Sequence, residues 1–146
     1  MRNSFPSITQ PNTPKKSCVS AIIYAASVFT WNALLIKWVT GSGRRGVQST
    51  INLAEFRYIA ARNASPEAAD AYIADLRRMG VEEYPVDSLW KRVSEVKANY
   101  TVALGDAYAL AAAEAVGGTL LVGADDDYDV FEDHEVFGDL IERFRI

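Results

Sequence analysis

The first 54 residues contain no aspartate and no glutamate. They carry six bases, Arg2, Lys15, Lys16, Lys37, Arg44 and Arg45, whereas all 19 acids of the 146-residue chain lie from Glu55 onward against the other nine bases. The net charge of -4 therefore hides a basic front and a strongly acidic body. Other chemistry is equally scarce. One cysteine, Cys18, excludes an intramolecular disulfide and a cysteine-rich zinc site, and one histidine, His134, excludes a multi-histidine metal site. A Ser-His-Asp hydrolase would have to use His134, which stands in the acidic, surface-like run Glu132-Asp133-His134-Glu135. Any metal held by this chain takes oxygen ligands.

A 49% hydrophobic content is enough for one packed domain. Residues 1–14, rich in Ser, Pro, Asn and Thr, read as a disordered leader. Ser17 to Ile36 is an uncharged window between Lys16 and Lys37, long enough to span a bilayer. Ser17, Ser20, Ser27, Thr30 and Asn32 dilute its hydrophobicity, which favours a strand over Val19–Tyr24 followed by a buried helix through Val39, not a membrane segment. Gly41, Gly43 and Gly46 are too irregularly spaced for a phosphate-binding loop.

From Val47 the pattern sharpens. Val47–Ile51 reads as a strand and Leu53–Arg62 as a helix, with Asn52 and Glu55 spaced as a capping box, a structural reading of Glu55. Ser65-Pro66-Glu67 opens a second helix, whose core face is Ala69, Tyr72, Ile73, Leu76 and Met79 and whose stop is Gly80. Val81–Val86, containing Pro85, is an edge strand. Asp87 or Ser88 then caps a helix lined by Leu89, Val93, Val96 and Tyr100, with Trp90 read as a core aromatic. Asp106 caps an alanine-rich helix that ends at Gly117-Gly118. The run from Thr119 follows as a buried strand that empties into Asp125, Asp126 and Asp127.

Acids at a strand's C-terminal end stand where ligands bind in open α/β sheets. A helix of about ten residues carries the chain roughly 15 Å away from Asp106, and a five-residue strand returns it about 16 Å, so Asp125 comes back beside Asp106. Glu55, just after another strand of the presumed parallel sheet, belongs to the same edge. Glu55, Asp106 and Asp125 each have a bland explanation singly, but together they form a carboxylate cluster. Such a cluster raises its own pKa values unless a cation neutralises it, and Mg²⁺ or Mn²⁺ suits hard oxygen ligands. Carboxylate-held metal supports phosphodiester hydrolysis without a Cys, Ser or His nucleophile. Asp125-x-Asp127-x-Asp129 also matches the opening of a calcium loop, but Val130 and Val136 occupy its turn-glycine and twelfth positions, which argues against an EF-hand. For Asp126, Asp129, Glu132 and Asp133 a solvated acidic loop is the simplest account.

Three stretches, Ile51-Asn52-Leu53-Ala54-Glu55-Phe56, Gly105-Asp106-Ala107 with Leu110-Ala111, and Leu120 to Tyr128, resemble the ordered motifs of PIN-domain ribonucleases, especially VapC-type toxins. The resemblance covers roughly residues 47–130. It implies an α/β protein, a three-layer α/β/α domain with a central, mainly parallel sheet. It further implies endonucleolytic cleavage of RNA with Mg²⁺ or Mn²⁺ held by Glu55, Asp106 and Asp125, with Asp127 assisting; Asp126 reads as solvent-facing because alternate positions in an extended segment point opposite ways. A small antitoxin partner, a homodimer and a cytoplasmic location follow from the same resemblance.

The chain departs from that pattern on the first strand. PIN domains normally carry an aspartate there; if Val19–Tyr24 is that strand, Ser20 stands at about its position. The implied activity is therefore impaired, and a non-catalytic PIN-like module that binds antitoxin or RNA is the competing expectation. Residues 1–46 read as an atypical acid-free leader in front of a PIN-like domain over 47–146. Either the whole chain is a diverged PIN domain, or this front is a wrong-frame or wrong-start segment joined to a genuine body, which the abrupt change in charge favours. Arg57, Arg62 and Lys97 are candidates for a local basic rim.

Overall fold

The computed structural model describes residues 18–21, 46–122 and 128–143. The expected buried helix through Val39, most of the uncharged window, and Asp125, Asp126 and Asp127 lie outside the described residues. Among the described residues no helix is long and apolar enough to cross a membrane.

The sheet is built around β4, Thr119–Val122, all four residues of which are buried. It runs parallel between β1, Cys18–Ala21, and β5, Ile141–Arg143. A second parallel pair joins β2, Val47–Ser49, to β3, Glu82–Tyr84, and β2 lies alongside β1. The first strand thus begins one residue before the expected Val19. Its pairing with β4 shifts register between Val19 and Ala21, so Ser20 falls at an irregularity in the ladder.

Alternation along β4 defines the layers. Leu120 and Val122 join one apolar cluster, with Val93, Val96, Leu110 and Phe131, while Leu121 joins another, with Phe56, Ile59, Ala60, Ala69 and Leu76. Successive strand residues face opposite ways, so the sheet is covered on both sides. This is the expected α/β/α arrangement. On the Leu121 side lie α1, Thr50–Asn63, and α2, Pro66–Arg78; on the other lie α3, Trp90–Asn99, and α4, Leu104–Val116. The short α5, Phe137–Leu140, leads into β5.

Several helix signals act as the sequence indicates. Ser65 caps α2 by accepting from the Ala68 N–H at 3.0 Å, Pro66 is its first residue, and Gly80 follows it at φ +95°. Gly117 ends α4 at φ +66°, a left-handed conformation that glycine adopts without a Cβ penalty.

Others do not. Asn52 does not cap α1; Ser49 does, accepting from the Asn52 N–H at 3.1 Å, and β2 ends two residues before the expected Ile51. Neither Asp87 nor Ser88 caps α3, whose flanking residue is Leu89 with no side-chain cap. Asp106 is not the cap of α4 either, since the helix starts at Leu104 and Asp106 lies within its first turn. Trp90 is 60% exposed and Met79 48%, against their expected core placement. For Trp90 the reason is geometric: Leu89, Val93 and Val96 take the buried face of α3 at three- and four-residue spacing, and the neighbour of Leu89 points elsewhere.

Candidate active site

The middle helix of the core, α4, is buried on nearly every side and is dominated by alanine, which lets it approach its neighbours closely. Asp106 is fully buried in it, the one charged residue among the buried described residues. A carboxylate in an apolar helix is costly, and a helix N-terminus is where its negative charge is best tolerated. Among the described residues no hydrogen-bond donor reaches its Oδ2 atom.

Glu55 reaches the same place from α1. It lies in the second turn of that helix, one turn later than the sequence indicated, and its side chain is half-buried. The carboxylate occupies the space directly beside the Gly105 Cα. A Cβ built on Gly105 would collide with all three atoms of that carboxylate, so the missing side chain of Gly105 is its seat. Gly105 immediately precedes Asp106. The two acids, 51 residues apart in sequence, are thereby gathered at the N-terminus of one helix.

Asn52 holds this junction together. Its Nδ2 donates to Glu55 Oε1 at 3.1 Å and to the Gly105 carbonyl at 3.0 Å, while its Oδ1 accepts from Ser49 Oγ at 2.6 Å. The Asn52–Glu55 pairing is real, but it runs between side chains and is no capping box. Burial pushes the Glu55 carboxyl above the ordinary glutamate range, and the Asn52 hydrogen bond partly offsets this.

Asp125 and Asp127 lie outside the described residues, but the chain is located on both sides of them. Val122 is fixed in β4, and Tyr128 is buried with its hydroxyl 3.5 Å from the Asp106 carbonyl, a long contact for a hydrogen bond it would donate. The residue after Asp127 therefore packs against the helix turn that carries Asp106. Among the described residues no three metal-ligating side chains cluster.

The expected basic rim is mostly engaged elsewhere. Arg57 pairs with Asp70 at 2.8 Å, Lys97 Nζ donates to the Val102 carbonyl at 2.6 Å, and Arg62 lies over the Tyr58 ring at 5.9 Å. The structure brings Glu55 and Asp106 to one place, as the sequence indicated, and surrounds them with Ser49, Asn52, Gly105 and Tyr128, which the sequence did not mark as their supports. The usable signal was a polar Asn beside a better cap and a glycine inside a helix of strong formers.

The arrangement is an α/β/α domain with carboxylates gathered where β2 and β4 end and α4 begins. Residues 20–133 match the PIN domain family. The chain belongs to that family. No curated protein matches the sequence. Among solved structures, the chain is similar to one from the crystal structure of VapBC-5, a member of the VapBC family of toxin-antitoxin systems from Mycobacterium tuberculosis. The TM-score is 0.53 at 17% identity, covering 89% of this chain and 98% of that one. At that identity the likeness is one of fold.

The strained charge of Glu55 has a measurable consequence. A carboxyl whose pKa is raised by folding destabilises the metal-free protein where it is ionised, and the penalty disappears as pH falls through its folded pKa. Glu55→Gln keeps an acceptor for Asn52 and removes the charge. In chelator-treated protein at pH 7 it should raise Tm by roughly 2–4 °C, and the difference should shrink as the pH is lowered toward 4. Thermal melts across that range provide the measurement; a variant less stable than the parent at pH 7 would contradict the assignment.

Proposed function

We propose that this PIN domain is a metal-dependent endoribonuclease of the VapC type, weakened by the absence of an aspartate on its first strand. The carrying observation is the seating of the Glu55 carboxylate on Gly105, directly beside buried Asp106. The donor set fits a hard divalent cation: all oxygen, no thiolate or imidazole, with the carboxylates brought from separate elements. Glu55, Asp106 and Asp125 would hold Mg²⁺ or Mn²⁺, with Asp127 assisting. Held there, such a cation would supply positive charge for a scissile phosphate and acidity for a bound water. The chain's own contribution is to keep two carboxylates at fixed positions against their mutual repulsion, Glu55 by the Asn52 amide and Asp106 by burial at a helix start.

The VapBC-5 neighbour is a member of a family of toxin-antitoxin systems, so a small antitoxin is the proposed partner; RNA as the substrate, a homodimer as the assembly and the cytoplasm as the location complete this reading on the motif resemblance alone. Ser20 supports a second reading, a PIN module that binds antitoxin or RNA without cutting it, because a hydroxyl brings no charge to the first-strand position. Cleavage of RNA with Mn²⁺, compared between the native chain and Asp106→Asn, separates the two. The nuclease reading expects Mn²⁺-dependent cleavage that falls at least about 100-fold in the variant, a loss typical of removing a transition-state charge stabiliser. Equal rates in both proteins would remove Asp106 from the chemistry, and no cleavage by the native chain would favour the binding module.

A further inference from the structure

We propose that Asn52 is the positioning residue of this site: its one buried carboxamide ties the Glu55 carboxylate to the start of α4 and so sets where Glu55 stands relative to Asp106. The inference rests on the nuclease reading for its purpose but on the hydrogen-bond geometry for its substance.

Asn52 is 2% exposed. Both N–H groups of its amide are used, one on Glu55 Oε1 at 3.1 Å within its own helix, the other on the Gly105 carbonyl at 3.0 Å in α4. Its Oδ1 accepts from Ser49 Oγ at 2.6 Å, and its backbone N–H donates to the same Oγ at 3.1 Å. This network admits only one amide orientation. Ser49 Oγ accepts from the Asn52 N–H and gives its single proton to Oδ1, whereas the other end of the amide faces two acceptors, a carboxylate oxygen and a carbonyl. Turning the amide over would set Oδ1 against both and point Nδ2 at a hydroxyl that already accepts from the Asn52 N–H, leaving the Ser49 proton without its acceptor. The N-cap of α1 therefore orients the amide, and the amide orients the carboxylate. Distance in sequence makes the device informative, since Ser49, Asn52 and Glu55 belong to one helix start and Gly105 to another.

An apolar side chain would fill the Asn52 position with better helix propensity and no polar atoms to satisfy. It would leave the half-buried Glu55 carboxylate without this donor. The structural alternative is that Asn52 merely staples α1 to α4. The two roles differ in what they act through.

Mn²⁺ affinity measured by electron paramagnetic resonance on the full-length protein, for the native chain, Asn52→Ala, Glu55→Ala and the double variant, distinguishes them. If Asn52 positions Glu55, Asn52→Ala weakens Mn²⁺ binding about 10-fold, the effect usual for a group that orients a ligand, and has no further effect once Glu55 is alanine. A loss of equal size in both backgrounds, or unchanged affinity in Asn52→Ala, overturns the proposal. A metal-free crystal structure of Asn52→Ala is the second measurement. The Glu55 carboxylate should leave its seat beside Gly105 while α1 and α4 keep their places; a carboxylate that stays put overturns the proposal whatever the protein does with Mn²⁺. Should the native chain bind no Mn²⁺, the nuclease reading fails on its own, and the crystal structure still decides the role of Asn52. If Asn52→Ala does not fold, Asn52→Ser, which keeps one donor, takes its place in both measurements with a smaller expected displacement.

Discussion

Replacing Gly105 with alanine should cut Mn²⁺-dependent RNA cleavage about 100-fold while leaving the protein folded, because a misplacement of roughly 1 Å in a reacting constellation is enough for such a loss. The added methyl enters the space held by the Glu55 carboxylate, and all three carboxylate atoms stand in its way. What yields is the far end of a flexible side chain, not backbone. Gly105 has helical geometry inside α4, so alanine would itself favour the helix by about 0.5–1 kcal/mol. That gain offsets much of the cost of moving Glu55, and Tm should stay within a few degrees of the native value. The paired measurement is a melting curve and a cleavage rate on the same preparation. A folded variant with native activity would show that the Glu55 seat has no part in the chemistry; Gly105→Ser should behave like the alanine variant, since it carries the same Cβ.

The opposite experiment adds what the chain lacks. Ser20→Asp should strengthen Mn²⁺ binding about tenfold or more, equivalent to ~1.4 kcal/mol, and raise the cleavage rate with it. Ser20 lies in β1, hydrogen-bonded alongside β4, whose far end leads to Asp125. As the position that the motif resemblance assigns to the first-strand aspartate, a carboxylate there would bring like-charge repulsion when no cation is bound and a further hard ligand when one is. Metal-free Ser20→Asp should therefore melt lower than the native chain and recover with added Mn²⁺, as linkage requires for a ligand that binds only the folded state. Titration calorimetry and melts with and without Mn²⁺ test both halves. Unchanged metal affinity would mean that this strand position does not face the acids.

Much of the architecture was legible because it depends on local rules. Ser65-Pro66-Glu67 names a helix start, Gly80 and Gly117 name helix ends, and an apolar run between turn residues names a buried strand. Each follows from the conformational limits of single residues, and neighbours in sequence supply all the partners needed. That Glu55 and Asp106 share one edge was likewise reachable, since Glu55 follows a strand of a parallel sheet and Asp106 opens a helix that leads away from that sheet edge. The return computed from strand and helix rises concerns Asp125, outside the described residues. The caps were harder. Asn52, Asp87, Ser88 and Asp106 all have capping chemistry, but a cap acts only where the helix begins, and the capping positions lie one to three residues away from them. Asp106 shows this most clearly: α4 starts at Leu104, three residues before the Ala107 start that a cap at Asp106 implies, which leaves the aspartate inside the first turn and buried.

By itself the sequence determined the alternation of strands and helices, the two-faced burial of β4 and the acids available for a metal, because composition, periodicity and turn chemistry act over a few residues at a time. Only the tertiary structure decided that Glu55 fills the space of an absent side chain on Gly105, and that one amide of Asn52 bonds both. These contacts join residues some fifty positions apart, at distances set by how closely two helices approach. No spacing rule within either helix contains that information.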